Sequence, residues 1–334
     1  MPANNNNLSR ARFISLFKSW EFIIFIVLLL VFFIDYLLSP TLFQGNNMID
    51  ATAVFMEKSI LALVLTFIII TGYIDISIAA IVAMSGVVLG VSYEAGFTLL
   101  ASSIFALLAG TAAGLINGFF CVKVKVPSIV VTLAGLILYR GIAYILTRDS
   151  TVYLPEEFGW IGGYYKNFPM PTPLLIFIVL AIIVGIVLHF TTFGRQIYAI
   201  GNNENAARYS GVPVDRIRIV LYALMGFIAG LVGVLLTSRI GSARPDIAGG
   251  MEMQVIAIVL LGGVYIFGGK GSIVGVILSA LVIGYIFYGM AIVNIQAQVI
   301  SIVTGIVLII ALVIPSIIRT ISESRQRSML RLKK

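Results

Sequence analysis

The chain has 334 residues and a formal net charge of +8, with 60% of positions drawn from AVILMFWYC and only 11% charged. Soluble domains carry about 25% charged residues, so the charges are too few to coat a soluble fold of this size, and the same counts exclude a disordered chain. A transmembrane helix needs about 20 mainly apolar residues, so the apolar residues here suffice for about ten. The apolar runs are long and continuous rather than short and alternating, which selects helices over a membrane β-barrel.

Residues 1–19 are polar and carry Arg10, Arg12 and Lys18 before an apolar run from about Glu21 to Leu38. No small-x-small cleavage pattern follows this run, which passes into Ser39-Pro40-Thr41, so it reads as a retained first span rather than a signal peptide. Further apolar segments lie at about Ser59–Thr71, Ile76–Ser92, Phe97–Val122, Val126–Leu146, Leu174–Phe190, Ile217–Ser238, Met253–Phe267, Ser272–Met290 and Val299–Pro315. The expected fold is an all-α integral membrane protein of about ten transmembrane helices, forming one domain over residues 1–334. Arg148–Pro173 is a loop rich in Gly, Pro and aromatic residues that is expected to pack on the membrane face. The largest loop on the other side is 191–216, and 316–334 forms a short basic tail.

With the N-terminus inside, the outer basic residues are Lys58, Arg148, Lys166, Arg239 and Arg244, and Arg140 falls within a span. The remaining sixteen of the 22 basic residues then face inward, as the positive-inside rule expects, so both termini are placed in the cytoplasm of a cell (inner or plasma) membrane protein. The pI near 9.6 is thus an orientation signal with some attraction to anionic lipid, and implies no nucleic-acid partner.

Chemistry by this chain alone is not expected. The single cysteine, Cys121, reads as a buried inert thiol, and the single histidine, His189, as an interfacial residue. No catalytic, metal-ligating or cofactor-binding set is assigned. Gly268-Gly-Lys-Gly-Ser272 resembles a phosphate loop at first sight, but Val264 stands where the first glycine is required and Gly271 where a hydroxyl must reach magnesium. These glycines read instead as a tight inner turn between spans eight and nine.

Two spans, the third and the eighth, look short and are each opened by an acid. Asp75–Val87 aligns without gaps on Glu252–Val264, with Ala80/Ala257, Ile81/Ile258, Val82/Val259, Gly86/Gly263 and Val87/Val264 identical. The topology runs them in opposite directions, as an inverted five-plus-five repeat requires; such repeats place a transport route at their interface, although duplicated packing helices would leave the same trace. Small-residue spacings at Gly86/Gly90, Gly110/Gly114/Gly118, Gly226/Gly230 and Gly271/Gly275 allow close helix packing within the chain or between subunits.

Within the inner loop, Asn202 or Asn203 can cap a helix, Glu204 suits its first turn, and Gly211 with Pro213 can end it. About two turns are too few to be stable alone in water, so this helix is expected to be docked, either on the protein's own inner face or on another subunit. The stretch Gly201-Asn-Asn-Glu-Asn-Ala-Ala-Arg-Tyr-Ser-Gly-Val212 resembles the cytoplasmic coupling loop of ribose-type ABC importer permeases. Thr71-Gly-Tyr-Ile-Asp-Ile-Ser77 resembles that family's Gly-Gly-Ile-Asp-Leu-Ser lead into span three, with Tyr73 in place of the second glycine. Met251–Gly263 resembles its Glu-Leu-Asp-Ala-Ile-Ala-Ala-Val-Val-Leu-Gly-Gly segment, and Gly268–Gly275 the glycine turn that follows. Met253-Gln254 departs from the usual Leu-Asp, and Arg239–Asp246 looks most like branches handling rhamnose or autoinducer-2.

The resemblance implies a permease subunit with two-fold partners: a second, identical or paralogous permease, a cytoplasmic ABC ATPase dimer, and an extracytoplasmic sugar-binding protein. Gly201, Asn202, Asn203, Glu204, Ala206, Ala207, Arg208, Ser210 and Gly211 would then face the ATPase. Polar groups to expect along the route are Asp75, Ser77, Arg140, Arg239, Arg244, Asp246, Glu252 and Gln254, because charge inside spans is costly and is kept for a use. Arg140 could equally snorkel outward, being seven residues (about 10 Å) from Thr147. Arg244 and Asp246 could equally form a local ion pair around Pro245. The competing function is a self-sufficient ion- or proton-coupled carrier, which would need mid-membrane carboxylates that these span boundaries leave almost absent.

Overall fold

The computed structural model describes residues 20–165, 168–296, 298–311 and 313. The expectations for 1–19, for 316–334 and for the end of the tenth span lie outside them. In chain order the helices are α1 (Trp20–Leu38), α2 (Asn47–Ile70), α3 (Ile78–Glu94), α4 (Leu99–Val122), α5 (Ser128–Thr147) and α6 (Thr172–Phe190), then α7 (Thr192–Asn202) and α8 (Glu204–Tyr209). They continue with α9 (Val214–Ile240), α10 (Met251–Leu261), α11 (Ile273–Ile292) and α12 (Gln298–Ala311). Apart from α7 and α8, these are ten apolar helices, one for each expected span. Among the described residues seven are long and apolar enough to cross a membrane, and α3, α10 and α12 are shorter. The protein is a multi-pass helical membrane protein.

Two boundaries differ from expectation. Helix α2 starts at Asn47 rather than near Ser59, so Glu57 and Lys58 sit within it rather than before it. The helix runs through this charged pair because Glu57, 1% exposed, receives hydrogen bonds from Arg239 Nε at 2.6 Å and Nη2 at 3.4 Å. Helix α10 ends at Leu261, short of Phe267, because Gly263, Gly268 and Gly269 adopt positive φ and turn the chain back.

Burial separates centre from rim. The most apolar stretch of α2 is 83% buried, whereas those of α1, α5 and α6 are each 22% buried and leave their outer faces for lipid. In the centre, α9 packs on α4 and α3 while α2 packs on α11 and α10; α3 packs on α4, α10 on α11, and α2 on α9. Exchanging spans two, three and four with seven, eight and nine leaves this pattern unchanged. The rim breaks it: α1 lies on α11, and α6 on α2.

The small-residue faces act within the chain. A Cβ at Gly110 would lie 2.4 Å from the Gly226 carbonyl oxygen, and one at Gly114 2.2 Å from that of Tyr222, so α4 and α9 touch main chain to main chain. Without a hydrophobic drive between helices in lipid, such close approach is what holds them. On the face opposite the 191–216 loop, a short antiparallel pair, β1 (Val152–Tyr153) with β2 (Ser242–Ala243), joins the Arg148–Pro173 loop to the segment after α9. That segment's Gly241 and Gly250 take positive φ, as its tight bends require.

Candidate functional site

Two polar regions stand on opposite faces. The first is built on α7 and α8, on the face that carries Lys123, Arg208 and Arg218. The helix expected between Asn202 and Gly211 is α8, capped by Asn203 through Ala206 N at 3.0 Å, and a second helix not expected there, α7, precedes it, capped by Thr191 through Gly194 N. Helix α7 is amphipathic and buries Gly194, Ile197 and Ile200 against the bundle. Its end is seated on the turn that resembled a phosphate loop. Gly269 N donates to the Ile70 carbonyl at 2.8 Å, and Tyr198 OH donates to the Gly271 carbonyl at 2.7 Å. A Cβ at Gly201 would lie 1.8 Å from Ile70 O and 2.3 Å from Gly269 N. His189 belongs to the same seam, its Nε2 accepting from Ile273 N at 3.4 Å.

Helix α8 buries only Ala207 and presents the rest outward, with Tyr209 93% exposed. An ionic web holds its base. Glu204 pairs with Arg208 at 2.9 Å and Arg218 at 2.8 Å, while Asp215 pairs with Arg208 at 2.5 Å and Lys123 at 3.9 Å. Burial works against ionising Glu204, but the hydrogen bonds and charges of Arg208 and Arg218 outweigh it and hold the carboxyl below the usual glutamate value. Asn202, Asn203, Arg208, Ser210 and Gly211 are exposed around α8, and Glu204 and Gly201 are half-buried.

The second region is a cavity of about 370 Å³ on the opposite face, between α2, α9 and the segment leading into α10. Of the expected route residues, Arg239, Arg244, Asp246 and Gln254 line it, joined by Glu57 and Lys58, which the expected start of the second span near Ser59 had left out of that helix. Arg244 and Asp246 form the local pair, 3.5 Å apart with both side chains exposed. Arg140 does not snorkel: its Nη1 donates to the carbonyls of Pro245 and Ile247, both at 2.6 Å, and so pins the cavity's outer segment to α5. Glu252 is buried behind this segment.

Asp75 and Ser77 are brought elsewhere. Both are fully buried: Asp75 Oδ1 accepts from Ser77 N at 2.9 Å and Ser77 Oγ at 2.6 Å, turning the chain into α3. Asn117 Nδ2 donates to Ser77 Oγ at 2.8 Å, and Tyr139 OH donates to Asn117 Oδ1 at 2.8 Å, so the acid closes a network across α3, α4 and α5. Four carboxylates, Asp35, Glu57, Asp75 and Glu252, are buried; Asp35 lies in the last turn of α1, Asp75 before α3 and Glu252 in the first turn of α10, so of the four only Glu57 falls in the middle of a helix. Among the described residues no group of three or more His, Cys, Asp or Glu could hold a metal ion.

A ten-helix bundle with a docked helix on one face and a charged cavity on the other is the architecture of a membrane transport component. Residues 47–312 match the family described as branched-chain amino acid transport system / permease component, and the chain belongs to that family. The ribose import permease protein RbsC of Escherichia coli (strain K12) is 33% identical over 294 residues, covering 86% of this chain and 91% of that one. The autoinducer 2 import system permease protein LsrD of Photorhabdus temperata is 34% identical over 303 residues, covering 88% and 90%. No solved structure matches. Family membership, rather than any shortage of buried acid, favours an importer permease over a self-sufficient ion-coupled carrier.

Proposed function

We propose that this chain is the membrane-spanning permease subunit of an ATP-driven importer, passing a small sugar or sugar-like solute of the rhamnose, autoinducer-2 or pentose type. The face bearing α7 and α8 lies in the cytoplasm with both termini, and the cavity opens to the outside of the cell (inner or plasma) membrane. The observation that carries this reading is α8: fixed at its base by four charged residues, bare on its outer side, and too short to stand alone. It docks in a separate ATPase dimer, with Gly201, Asn202, Asn203, Glu204, Ala206, Ala207, Arg208, Ser210 and Gly211 forming the contact and its support. A binding protein delivers solute over Arg239, Arg244, Asp246 and Gln254, and a second permease subunit, identical or paralogous, completes the path.

Reading the cavity as the outer mouth of that path fits its size, since small-molecule sites run from about 300 Å³ upward. The experiment is co-purification from membranes followed by uptake in vesicles loaded with ATP. An ATPase and a second permease should accompany the chain, and uptake should need ATP and the binding protein. Uptake that followed a proton gradient without ATP would sink the proposal.

A further inference from the structure

The side chain of Arg218, 4% exposed near the start of α9, reaches two places at once. Its Nη1 donates to Glu204 Oε2 at 2.8 Å, at the base of α8. The same guanidinium donates to the Thr71 carbonyl at 3.1 Å and to Tyr73 OH at 3.1 Å, and lies 3.9 Å over the centre of the Tyr73 ring. Thr71 and Tyr73 belong to the non-helical link between α2 and α3, the segment that Asp75 and Ser77 tie onward to Asn117 and Tyr139.

Tyr73 is also where this chain departs from the glycine expected in the family motif. A glycine there would offer the guanidinium neither a ring nor a hydroxyl. The Glu204 carboxylate is about a third exposed, and pairs in contact with water add little static stability. What a planar guanidinium fixed by three partners and a ring supplies is direction, because its donors keep a set geometry that an ammonium lacks.

We infer that Arg218, seated on Tyr73, is the positioning residue that carries displacement of α8 into the link between α2 and α3. When α8 moves, Glu204 moves the guanidinium, and the guanidinium moves Thr71 and Tyr73 and so the start of α3. This rests on α8 being the ATPase contact proposed above, and the link is made by Tyr73.

The test uses the full importer in proteoliposomes and reads solute imported per ATP hydrolysed. A purely structural loss lowers import and hydrolysis together and leaves that ratio alone. In Arg218→Met and in Tyr73→Leu the ratio is expected to fall about five-fold or more, the lower range of a site-to-site coupling, with the ATPase still co-purifying. Tyr73→Phe, which keeps the ring, is expected to stay near wild type, and Arg218→Lys to fall between. An unchanged ratio in Arg218→Met overturns the inference. If that variant is not recovered from the membrane, Tyr73→Leu, which leaves the Glu204–Arg218 pair intact, decides alone, and an unchanged ratio there overturns it equally. Absence of the ATPase from the wild-type preparation is a different failure, which removes the underlying reading of α8 and the clamp with it.

Discussion

Gly201 lies so close beneath Ile70 that a Cβ on the glycine would stand 1.8 Å from the Ile70 carbonyl oxygen. The same oxygen accepts from Gly269 N, so the end of α7, the end of α2 and the turn between α10 and α11 meet through main chain alone. Replacing Gly201 by alanine must push these backbones apart. The expected cost is about 1–3 kcal/mol, in the range for overpacking a filled site, read as a lower thermal midpoint in detergent and weakened association with the ATPase. A Gly201→Ala protein with the wild-type midpoint would show that the contact yields easily.

Arg140 holds the opposite face by two carbonyl contacts. Arg140→Met keeps most of the aliphatic length but removes both charge-assisted bonds, each of a kind worth about 1.5–3 kcal/mol. The expected result is faster hydrogen exchange over 241–250 with little change in α4 or α9. Lysine at this position should restore only part of the protection, since it lacks the fork that meets two carbonyls. Equal protection in all three proteins would count against the clamp.

For Glu57 and Arg239 the expectation is a non-additive pair. Arg239→Met leaves the buried Glu57 without its partner, and breaking a buried ion pair costs about 3–5 kcal/mol, whereas replacing both members by apolar residues is often close to neutral. Arg239 is partly exposed, which moves the cost toward the low end. Thermal midpoints of the two single variants and of Glu57→Leu/Arg239→Met should therefore show the double variant as the more stable. Simple additivity would mean that the two side chains act independently.

Glu204 sets a pH expectation. Its carboxyl lies below the usual value of 4.5, so its support of α8 is present above that value and is lost as pH falls through the depressed folded one. Protease cleavage around 203–211 should stay slow from neutral pH down to about 5 and rise only in stronger acid. Glu204→Gln, which cannot ionise, should be cleaved readily at neutral pH. If wild type and variant were cleaved alike at neutral pH, the carboxylate would not be what fixes the helix.

Much of this was legible in the residues. Ten apolar runs gave ten helices because hydrocarbon demands length and apolarity, and both are local properties of a sequence. Asn203 and Gly211 marked the ends of α8 for the same reason, since caps act over three or four residues. What stayed hidden depended on distant partners. The run from Asn47 to Lys58 reads as a loop until Arg239, far along the chain, neutralises Glu57. Helix α7 lies within what reads as a loop, and its seat, with Ile197 and Ile200 against the bundle and Gly201 against Ile70 and Gly269, is supplied by distant residues. Asp75 and Ser77 were expected along the route because an acid at a span draws attention; that Asn117, set among the glycines of span four, donates to Ser77 was not legible, since the two lie 40 residues apart.

The pairing of β1 with β2 joins two pieces with different allegiances: 152–153 lie in the connection between the two five-span halves, and 242–243 lie wholly in the second half. Further stitches run beside it, from Leu154 N to the Gly241 carbonyl and from Gly162 N to Ser238 Oγ, while Tyr164 OH bonds Asp50 at the start of α2. The seam therefore fastens the connection to both halves at the cavity face, as the meeting of Gly201, Ile70 and Gly269 fastens them at the face where α7 and α8 stand, so the long connection is held along its course rather than hung between two ends.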